Sequence, residues 1–410
     1  MRIYAIGSGR KIGQNFAGAD PQAKEERHRF EPFNILLLVC SFLGLHLLRE
    51  DADGSYVVCR WRLVPMAALG LMSLVCLTCV LVYQALVAPP LWFVVILLPL
   101  CLGYCFCIIT FVLTYRNTRA LAEYLHSVSE LQVKLHRPSA LQLINSILFP
   151  VMLVVVTYNL VPKCQTFLPS VFVTSCVPAF MDLYMMHFVK MLQAAYVSLG
   201  RDIGARVSLT IREVQAMADR WLTLTEIVAS HNKIFNVILH WRLWLLVVQA
   251  MAHLFVLWAL RQYYGACLPL LLITLLPLAE LFVRFLYLCS NAEALTRADE
   301  EVVEAAQEAT LRVATGSRVH LALSAFSCHM AAQPAAIHVW GMDSLSSSTF
   351  VSLSGVVLTY LVVVLQFSLK VNYDFTSYRE GELDKFNECF AEDQAGNGGF
   401  GFILRKLFAI

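Results

Sequence analysis

The stretch Leu358–Phe367 reads LTYLVVVLQF, a long apolar run with one amide near its end. Such a run is typical of a helix that crosses a lipid bilayer, where each buried polar group needs a hydrogen-bond partner or water. Gln366 is therefore either hydrogen-bonded between helices or in contact with water inside the membrane. The question is which of these two environments the rest of the chain supports.

The composition of the chain is that of a polytopic membrane protein. Of its 410 residues, 58% are hydrophobic and 15% are charged, and the mean hydropathy is +0.64. Soluble globular domains are less apolar and carry more charge. The formal net charge of +2 and the lack of a basic tract with interleaved aromatic residues argue against a nucleic-acid partner.

Six apolar segments are clearly long enough to cross a bilayer, and a seventh, Phe350–Phe367, is short but carries no charge. A transmembrane helix needs about 20 predominantly apolar residues. The predicted spans are Leu63–Val87, Leu91–Thr114, Gln142–Val161, Pro169–Leu199, Trp241–Leu260, Leu268–Ser290 and Phe350–Phe367. A shorter apolar run, Phe33–Leu48, lies between Arg29 and Arg49. We predict that this run forms an interfacial or re-entrant helix rather than a span.

The distribution of basic residues orients these spans. With the N-terminus in the cytoplasm, the predicted inner segments carry 21 Lys and Arg residues, whereas the short outer loops carry only Lys163 and Arg261. Lys and Arg are enriched in the cytoplasmic loops of membrane proteins. We therefore predict a cytoplasmic N-terminus and an extracellular C-terminus, which is opposite to the orientation of a G-protein-coupled receptor.

The predicted fold class is an all-α membrane protein whose segments follow from these spans. In chain order we predict a cytoplasmic N-terminal segment (1–62) with the interfacial helix 33–48, a bundle of six spans (63–290) with a cytoplasmic extension (200–240), a second cytoplasmic segment (291–349), a seventh span (350–367) and an extracellular C-terminal tail (368–410). The sequence contains no internal repeat and no low-complexity linker.

Two cytoplasmic stretches are predicted to continue the neighbouring spans as helices. Within Val207–Phe235, apolar residues at spacings of three to five form one helix face: Leu209, Val214, Met217, Trp221, Leu224 and Val228. Asn291–Val313 is rich in Ala and Glu and has few helix breakers. Both could be solvated amphipathic helices, or they could pack on one another and on residues 314–345 below the membrane. We favour the packed arrangement.

Polar and aromatic residues in the outer halves of spans two to six are candidates for a small-molecule site. Such sites combine aromatic walls with a few polar anchors. The candidates are Trp92, Tyr104, Tyr158, Asn159, Thr174, Ser175, Asp182, Gln249, His253, Trp258, Thr274 and Glu280. A pocket between these helices would open to the outside of the cell.

Several of these side chains also have a structural explanation. Glu280 and Arg284 lie four residues apart and are expected to pair with each other on one helix face. His253 fits a hydrogen-bonded histidine inside the bundle better than a ligand contact. Asp182 has no basic residue near it on its own helix except Lys190, so it either has a structural role or faces a water-filled cavity.

The thirteen cysteines lie mostly in apolar runs, where they are expected to act as small core residues. Cys164 and Cys267 differ because both fall in predicted extracellular loops, where a disulfide between them could form. No cysteine and histidine cluster predicts a metal site, and the sequence predicts no cofactor. No nucleophile or phosphate-binding loop stands out, so we do not expect an enzyme.

The opening stretch also carries a motif. Thr359 and Tyr360 are followed by five apolar residues, Gln366 and Phe367, and this pattern resembles the TY(x5)QF motif of insect gustatory receptors. Further similarities to that family are Gln333-Pro334 and Trp340-Gly341-Met342 before the last span, Leu224–Asn236 before the fifth, and Arg29–Leu45 near the N-terminus. Leu361 differs from the acidic residue that the sugar-receptor branch tends to carry after Thr-Tyr.

The resemblance implies a ligand-gated, non-selective cation channel, either a homotetramer or a heterotetramer with other gustatory receptors. It implies that the seventh span lines a central pore and that residues 291–349 belong to a cytoplasmic anchor. The implied pore residues are Gln366, Leu365, Val363 and Val362, with Val363 and Leu365 as a hydrophobic constriction. Thr359 and Tyr360 are expected to hold the seventh helix against its neighbours.

The functional prediction is a receptor for a small-molecule tastant, located in the plasma membrane of chemosensory neurons and permeable to cations. The resemblance places the ligand among the outer halves of spans two to six. A secondary transporter is an alternative, because Asp182 and Glu280 could be coupling carboxylates. A G-protein-coupled chemoreceptor is a second alternative, although the charge distribution opposes it.

Overall fold

The structure is a computed structural model. It describes residues 91–130, 168–206, 208–264, 268–339 and 344–370, and parts of 39–50 and 56–78. The predicted span Gln142–Val161, the tail after Lys370, and Cys164 and Cys267 all lie outside the described residues. The described fold is mostly helical. Its helices are α1 (Leu91–Arg116), α2 (Thr118–Glu130), α3 (Leu168–Gly204), α4 (Ile211–Tyr264), α5 (Leu268–Arg312), α6 (Arg318–Ala332) and α7 (Ser347–Lys370).

The segment before α1 corrects the prediction of a helix through Leu48. Helical residues occur at 39–41, but strand β1 (Leu48–Glu50) pairs with β2 (Tyr56–Val58) in an antiparallel hairpin. Leu45 and Leu47 are fully buried, and His46 Nδ1 lies 2.9 Å from the Tyr184 hydroxyl of α3. Successive side chains of an extended backbone point to opposite sides, whereas a helix that packs on a bundle buries one face. Side chains on both sides of this segment are buried, which explains the extended conformation.

In the described part of the chain, two predicted spans and the extensions next to them form continuous helices. The single helix α4 covers both the predicted span Trp241–Leu260 and the amphipathic stretch before it, and α5 covers Leu268–Ser290 and continues to Arg312. By length and composition, Ile211–Phe255 and Leu275–Arg312 each contain an apolar stretch long enough to cross a bilayer, and Cys101–Arg116 and Ser347–Val363 are shorter apolar helices. That survey covers only the described part of the chain.

Helix α4 begins at Ile211 rather than at the predicted Val207 because of a capping box. The Thr210 hydroxyl accepts a hydrogen bond from the Glu213 N–H at 3.3 Å, while the Glu213 carboxylate accepts one from the Thr210 N–H at 2.8 Å. These bonds satisfy backbone donors that the first helical turn would otherwise leave free. Hydrogen bonds from Thr210 also lower the pKa of the Glu213 carboxyl, so the cap weakens only as the pH falls through that lowered pKa.

The helix ends that are predicted to be cytoplasmic pack together, as the apolar pattern predicted. The α4 residues Val214, Met217, Trp221, Leu224 and Val228 are all buried, and α6 packs on both α4 and α5. A tight turn with Gly316 at φ 82° separates α5 from α6, a backbone conformation that favours glycine. The Ser317 side chain then caps α6 by accepting from the His320 N–H.

Two polar side chains hold the segment between α6 and α7. Asp299 of α5 accepts hydrogen bonds from Trp221 Nε1 at 3.0 Å and from the Ala335 N–H at 2.8 Å. Asn232 of α4 donates to the Ala336 carbonyl at 2.9 Å and accepts from the His338 N–H at 3.2 Å. The residues from Ala335 to His338, directly after Gln333-Pro334, are thereby fixed against two long helices.

The start of α7 is fixed to α5 in the same region. Glu293 accepts a hydrogen bond from the Ser347 N–H at 3.0 Å and another from the Ser347 hydroxyl. Phe350 packs against Phe285 with ring centroids 5.1 Å apart. The first turn of α7 therefore depends on α5 for both polar and apolar contacts.

The Asp299 contacts lead to a stability prediction. Asp299→Ala leaves two buried N–H donors without an acceptor, and we expect it to lower the free energy of unfolding by about 2–5 kcal/mol. The measurement is the melting midpoint of the detergent-purified chain, followed as loss of its monodisperse peak in size-exclusion chromatography. Asp219→Ala, at an exposed site on α4, is the matched control. Equal midpoints for the two variants would contradict the role assigned to Asp299.

Candidate functional site

Helix α7 has one face packed on the rest of the chain and a broad face that is exposed. Among its described side chains, the least exposed positions are 349, 350, 353, 354, 357 and 361, whose spacing of three and four places them on one side of a helix. This side packs against α4 and α5. On the opposite side of α7, apolar side chains are exposed at the surface of the single chain. Such an apolar surface is unusual unless it faces lipid, another copy of the chain or a pore.

Gln366 lies on the exposed side of α7. It is nine residues after the buried Val357, which is half a turn round the helix, and its side chain is exposed. Val362 and Val363 are also exposed, at 51% and 39%. Leu365 belongs to the helix, but its side chain lies outside the described set. The structure thus places three of the four candidate pore residues on the side away from α4 and α5.

Thr359 and Tyr360 of the motif are both exposed in the described part of the chain. Tyr360 is 56% exposed, and Thr359 is exposed with its hydroxyl donating to the Gly355 carbonyl in its own helix at 2.8 Å. The expectation that they hold α7 against neighbouring helices is therefore not met inside one chain. Thr359 precedes Gln366 by seven residues, so both share the exposed side.

A buried cluster of four charges joins α3, α4 and α5. Arg242 donates to both carboxylate oxygens of Asp182, through Nε at 2.9 and 3.0 Å and through Nη2 at 2.7 Å. Arg284 pairs with Glu280 and lies 4.0 Å from Asp182. Both Asp182 and Arg242 are 2% exposed. The two acids and two arginines cancel in net charge, which is the condition under which buried charges are tolerated.

This cluster corrects the interpretation of Asp182. Asp182 has no close basic residue on its own helix, but its carboxylate is paired with Arg242, which lies sixty positions later and on another helix. Asp182 also lies about four turns, or roughly 21 Å, from the start of α3. It is level with Arg242, near the inner end of the predicted fifth span, rather than in an outer half. Sequence reasoning missed Arg242, although an arginine inside an apolar segment signals an opposite charge elsewhere in the bundle.

The remaining ligand candidates are brought together only in part. Gln249 and His253 lie on α4 and are half-buried, and Glu280 is taken up by the pair with Arg284. Trp92, Trp258 and Thr274 belong to helices, but their side chains are outside the described set, as are Tyr158 and Asn159 altogether. The predicted pairing of Glu280 with Arg284 is confirmed.

A small apolar cavity lies between α4, α5 and α7. Its lining is Leu246, Val247, Ala250, Leu281, Phe282, Phe285, Leu353, Ser354 and Val357. All of it except the Ser354 hydroxyl is hydrocarbon. The cavity lies directly behind α7, so a change in how α4 and α5 pack would alter the support of that helix. In the described part of the chain, no group of three or more His, Cys, Asp or Glu side chains could hold a metal ion.

No protein-family model and no curated protein matches the sequence. Solved structures do match. The insect olfactory receptor OR5 from Machilis hrabei aligns with a TM-score of 0.62 and 12% identity, over 85% of this chain and 98% of the receptor. The same receptor in complex with eugenol aligns with a TM-score of 0.59 and 15% identity, over 85% of this chain and 99% of the receptor. The chain therefore has the fold of an insect olfactory receptor.

The charge cluster is testable by a double-mutant cycle. Because each single truncation leaves a buried charge, we expect Asp182→Ala and Arg242→Ala each to cost about 3–5 kcal/mol of stability. The double variant should be much less destabilised than the sum of the two. The melting midpoint of the purified chain measures each corner of the cycle.

The matched control is the exposed pair Arg119 and Glu123, which lie 3.5 Å apart with side chains 94% and 73% exposed. Its coupling should be at most about 0.5 kcal/mol. Strictly additive effects of the Asp182 and Arg242 variants would argue that the two side chains do not stabilise the fold as a pair.

Proposed function

We propose that the chain is a chemosensory receptor of the insect odorant and gustatory receptor superfamily that acts as a ligand-gated cation channel in a membrane. The single observation that carries the proposal is the exposed side of α7, with Gln366 and two valines, on a chain that has the fold of an insect olfactory receptor. The motif from Thr359 to Phe367 supports assignment to the gustatory branch.

In this proposal the exposed side of α7 faces a central pore built from several copies of the chain. Gln366 then contacts water and passing cations, which satisfies its amide without a helix partner. Val363 and Leu365, within one turn before it, form an apolar constriction that prevents conduction when it is dry, and Val362 lies next to them. Thr359 adds a hydroxyl on the same side, about two turns before the amide. Four copies are the number implied by the resemblance.

A small organic ligand is proposed to open this pore. The neighbouring olfactory receptor structure contains eugenol, and the corresponding ligand here would be a tastant bound among spans two to six. Binding shifts the equilibrium between closed and open states only by the difference in its affinity for the two. Gln249 and His253, the half-buried polar residues of α4, are the described candidates for contact.

The charge cluster bears on the transporter alternative. That alternative rested on Asp182 and Glu280 as coupling carboxylates, but each has an arginine partner within the chain. A carboxylate held in this way is poorly suited to releasing and rebinding an ion in every cycle. The channel is therefore the better supported of the two functions.

The direct test is a current measurement. In cells that express this chain alone, a panel of sugars, bitter compounds and dissolved carbon dioxide should include one that evokes a fast cation current in the presence of a G-protein blocker. A current that reverses near 0 mV, roughly where a non-selective pore should, supports the proposal. A ligand response abolished by the blocker would contradict it and favour a G-protein-coupled receptor.

The pore assignment is tested by Gln366→Ala. We expect altered unitary conductance, cation selectivity or block at unchanged surface expression, because the amide is proposed to contact the permeating ions. Gln215→Ala, at an exposed position near the start of α4, is the matched control and should leave the currents as they are. Single-channel recording with ion substitution compares the two. Identical currents would place Gln366 outside the conduction path.

A further inference from the structure

Helix α4 carries a face where aromatic and basic side chains meet. Lys233, Val237, His240, Trp241 and Trp244 follow one another at spacings of one to four residues and share one side of the helix. Trp241 and Trp244 are large apolar side chains, yet they are 44% and 54% exposed. Trp244 Nε1 donates to His240 Nε2 at 3.1 Å. The indoles therefore extend along the outside of the helix.

The end of α1 lies at the same level and has the same composition. Asn117 Nδ2 donates to the Ile234 carbonyl of α4 at 3.2 Å, which fixes the level of the α1 terminus next to Lys233. Tyr115 is 60% exposed and is followed by the exposed Arg116. Tyr115 and Arg116 of α1 thus lie at the level of Lys233, whereas Trp241 and Trp244 lie about 12 to 17 Å further along α4.

The basic side chains at this level are available to bind an anionic group. Neither Lys233 nor Arg116 has an acidic partner within 4.0 Å among the described residues. Arg119 differs, because it shares its charge with Glu123 at 3.5 Å. The acidic residue on the same side of α4 is Glu226, two turns further inward, at a distance of about 10 Å along the helix.

We propose that this surface, formed by Tyr115 and Arg116 of α1 and Lys233, Trp241 and Trp244 of α4, binds anionic phospholipid headgroups of the cytoplasmic leaflet. The inference rests on the proposed function, since it needs the chain to span a membrane. The indoles of Trp241 and Trp244 lie at the acyl-chain boundary, whereas Tyr115 and Arg116 lie at the level of Lys233. Lys233 is about 12 Å further inward than Trp241 along the axis, where its ammonium group meets the phosphates.

The aromatic and basic side chains of the surface favour anionic phospholipid headgroups as its partner. Trp and Tyr favour the membrane interface because their rings are apolar and their N–H and O–H groups need polar partners. Basic side chains beside the cytoplasmic leaflet attract anionic lipids, and each adds to the affinity. A zwitterionic headgroup offers no net charge to Lys233 and Arg116. The surface is therefore expected to discriminate by lipid charge.

The test uses the full-length chain reconstituted in phosphatidylcholine vesicles that contain a minor fraction of brominated lipid. Bromine quenches tryptophan at short range, and the difference between the wild type and Trp241→Phe/Trp244→Phe isolates these two indoles. We expect brominated phosphatidylserine to quench them more than the same amount of brominated phosphatidylcholine. Lys233→Gln/Arg116→Gln should lower the preference for phosphatidylserine about tenfold or more.

The control is Arg212→Gln/Arg318→Gln, which removes two exposed charges from the far end of the inner helices and should keep the preference. Equal quenching by the two brominated lipids, or equal loss in both double variants, would overturn the proposal. Absence of any quenching of Trp241 and Trp244 would also overturn it, because another copy of the chain would then cover the surface.

The outcome is separable from that of the proposed function. A chain that resists alkaline carbonate extraction and conducts cations, but shows no preference for phosphatidylserine, refutes only the lipid site. A chain that alkaline carbonate removes from membranes refutes the proposed channel, and the lipid surface with it.

Discussion

The pairing of Asp182 with Arg242 constrains how the three longest helices of the described fold can pack. A carboxylate and a guanidinium that are both 2% exposed must stay in contact, because separating them strands two charges away from water. Displacing α3 against α4 by one helical turn, about 5.4 Å, would break all three hydrogen bonds. Apolar contacts between the same helices are less specific, since one methyl group can replace another. The charge pair therefore fixes the register.

Helix α5 extends this constraint to the start of α7. It contributes Glu280 and Arg284 to the charge cluster, Glu293 to the first turn of α7, and Asp299 to the segment before α7. These contacts lie along one continuous helix. In the proposed channel, a ligand that changes how α3 and α5 pack would displace the support of α7, and the apolar cavity behind α7 leaves room for it to respond. Coupling of this kind requires no contact between the ligand and the pore.

The two sides of α7 meet different requirements. One side is fitted to α4 and α5 through Phe350, Leu353 and Val357, so its residues are determined by packing within the chain. The other side carries Gln366, Thr359 and exposed valines, and no contact with another helix among the described residues explains them. A helix with one packed side and one exposed side can contact both the bundle and a partner outside the single chain. In the proposed channel, the other copies of the chain and the pore between them are that partner.

For the described residues, the sequence by itself determined the helical class, the positions of the long apolar helices and the packing of their extensions, because hydrophobic length and periodicity are local properties of the chain. It also predicted the Glu280 and Arg284 pair, whose members are four residues apart on one helix. Only the tertiary structure decided that Asp182 is paired with Arg242, that Leu48 lies in a strand and that Thr359 faces away from the bundle. Each of these depends on side chains distant in sequence, and periodicity carries no information about which helix will be the neighbour.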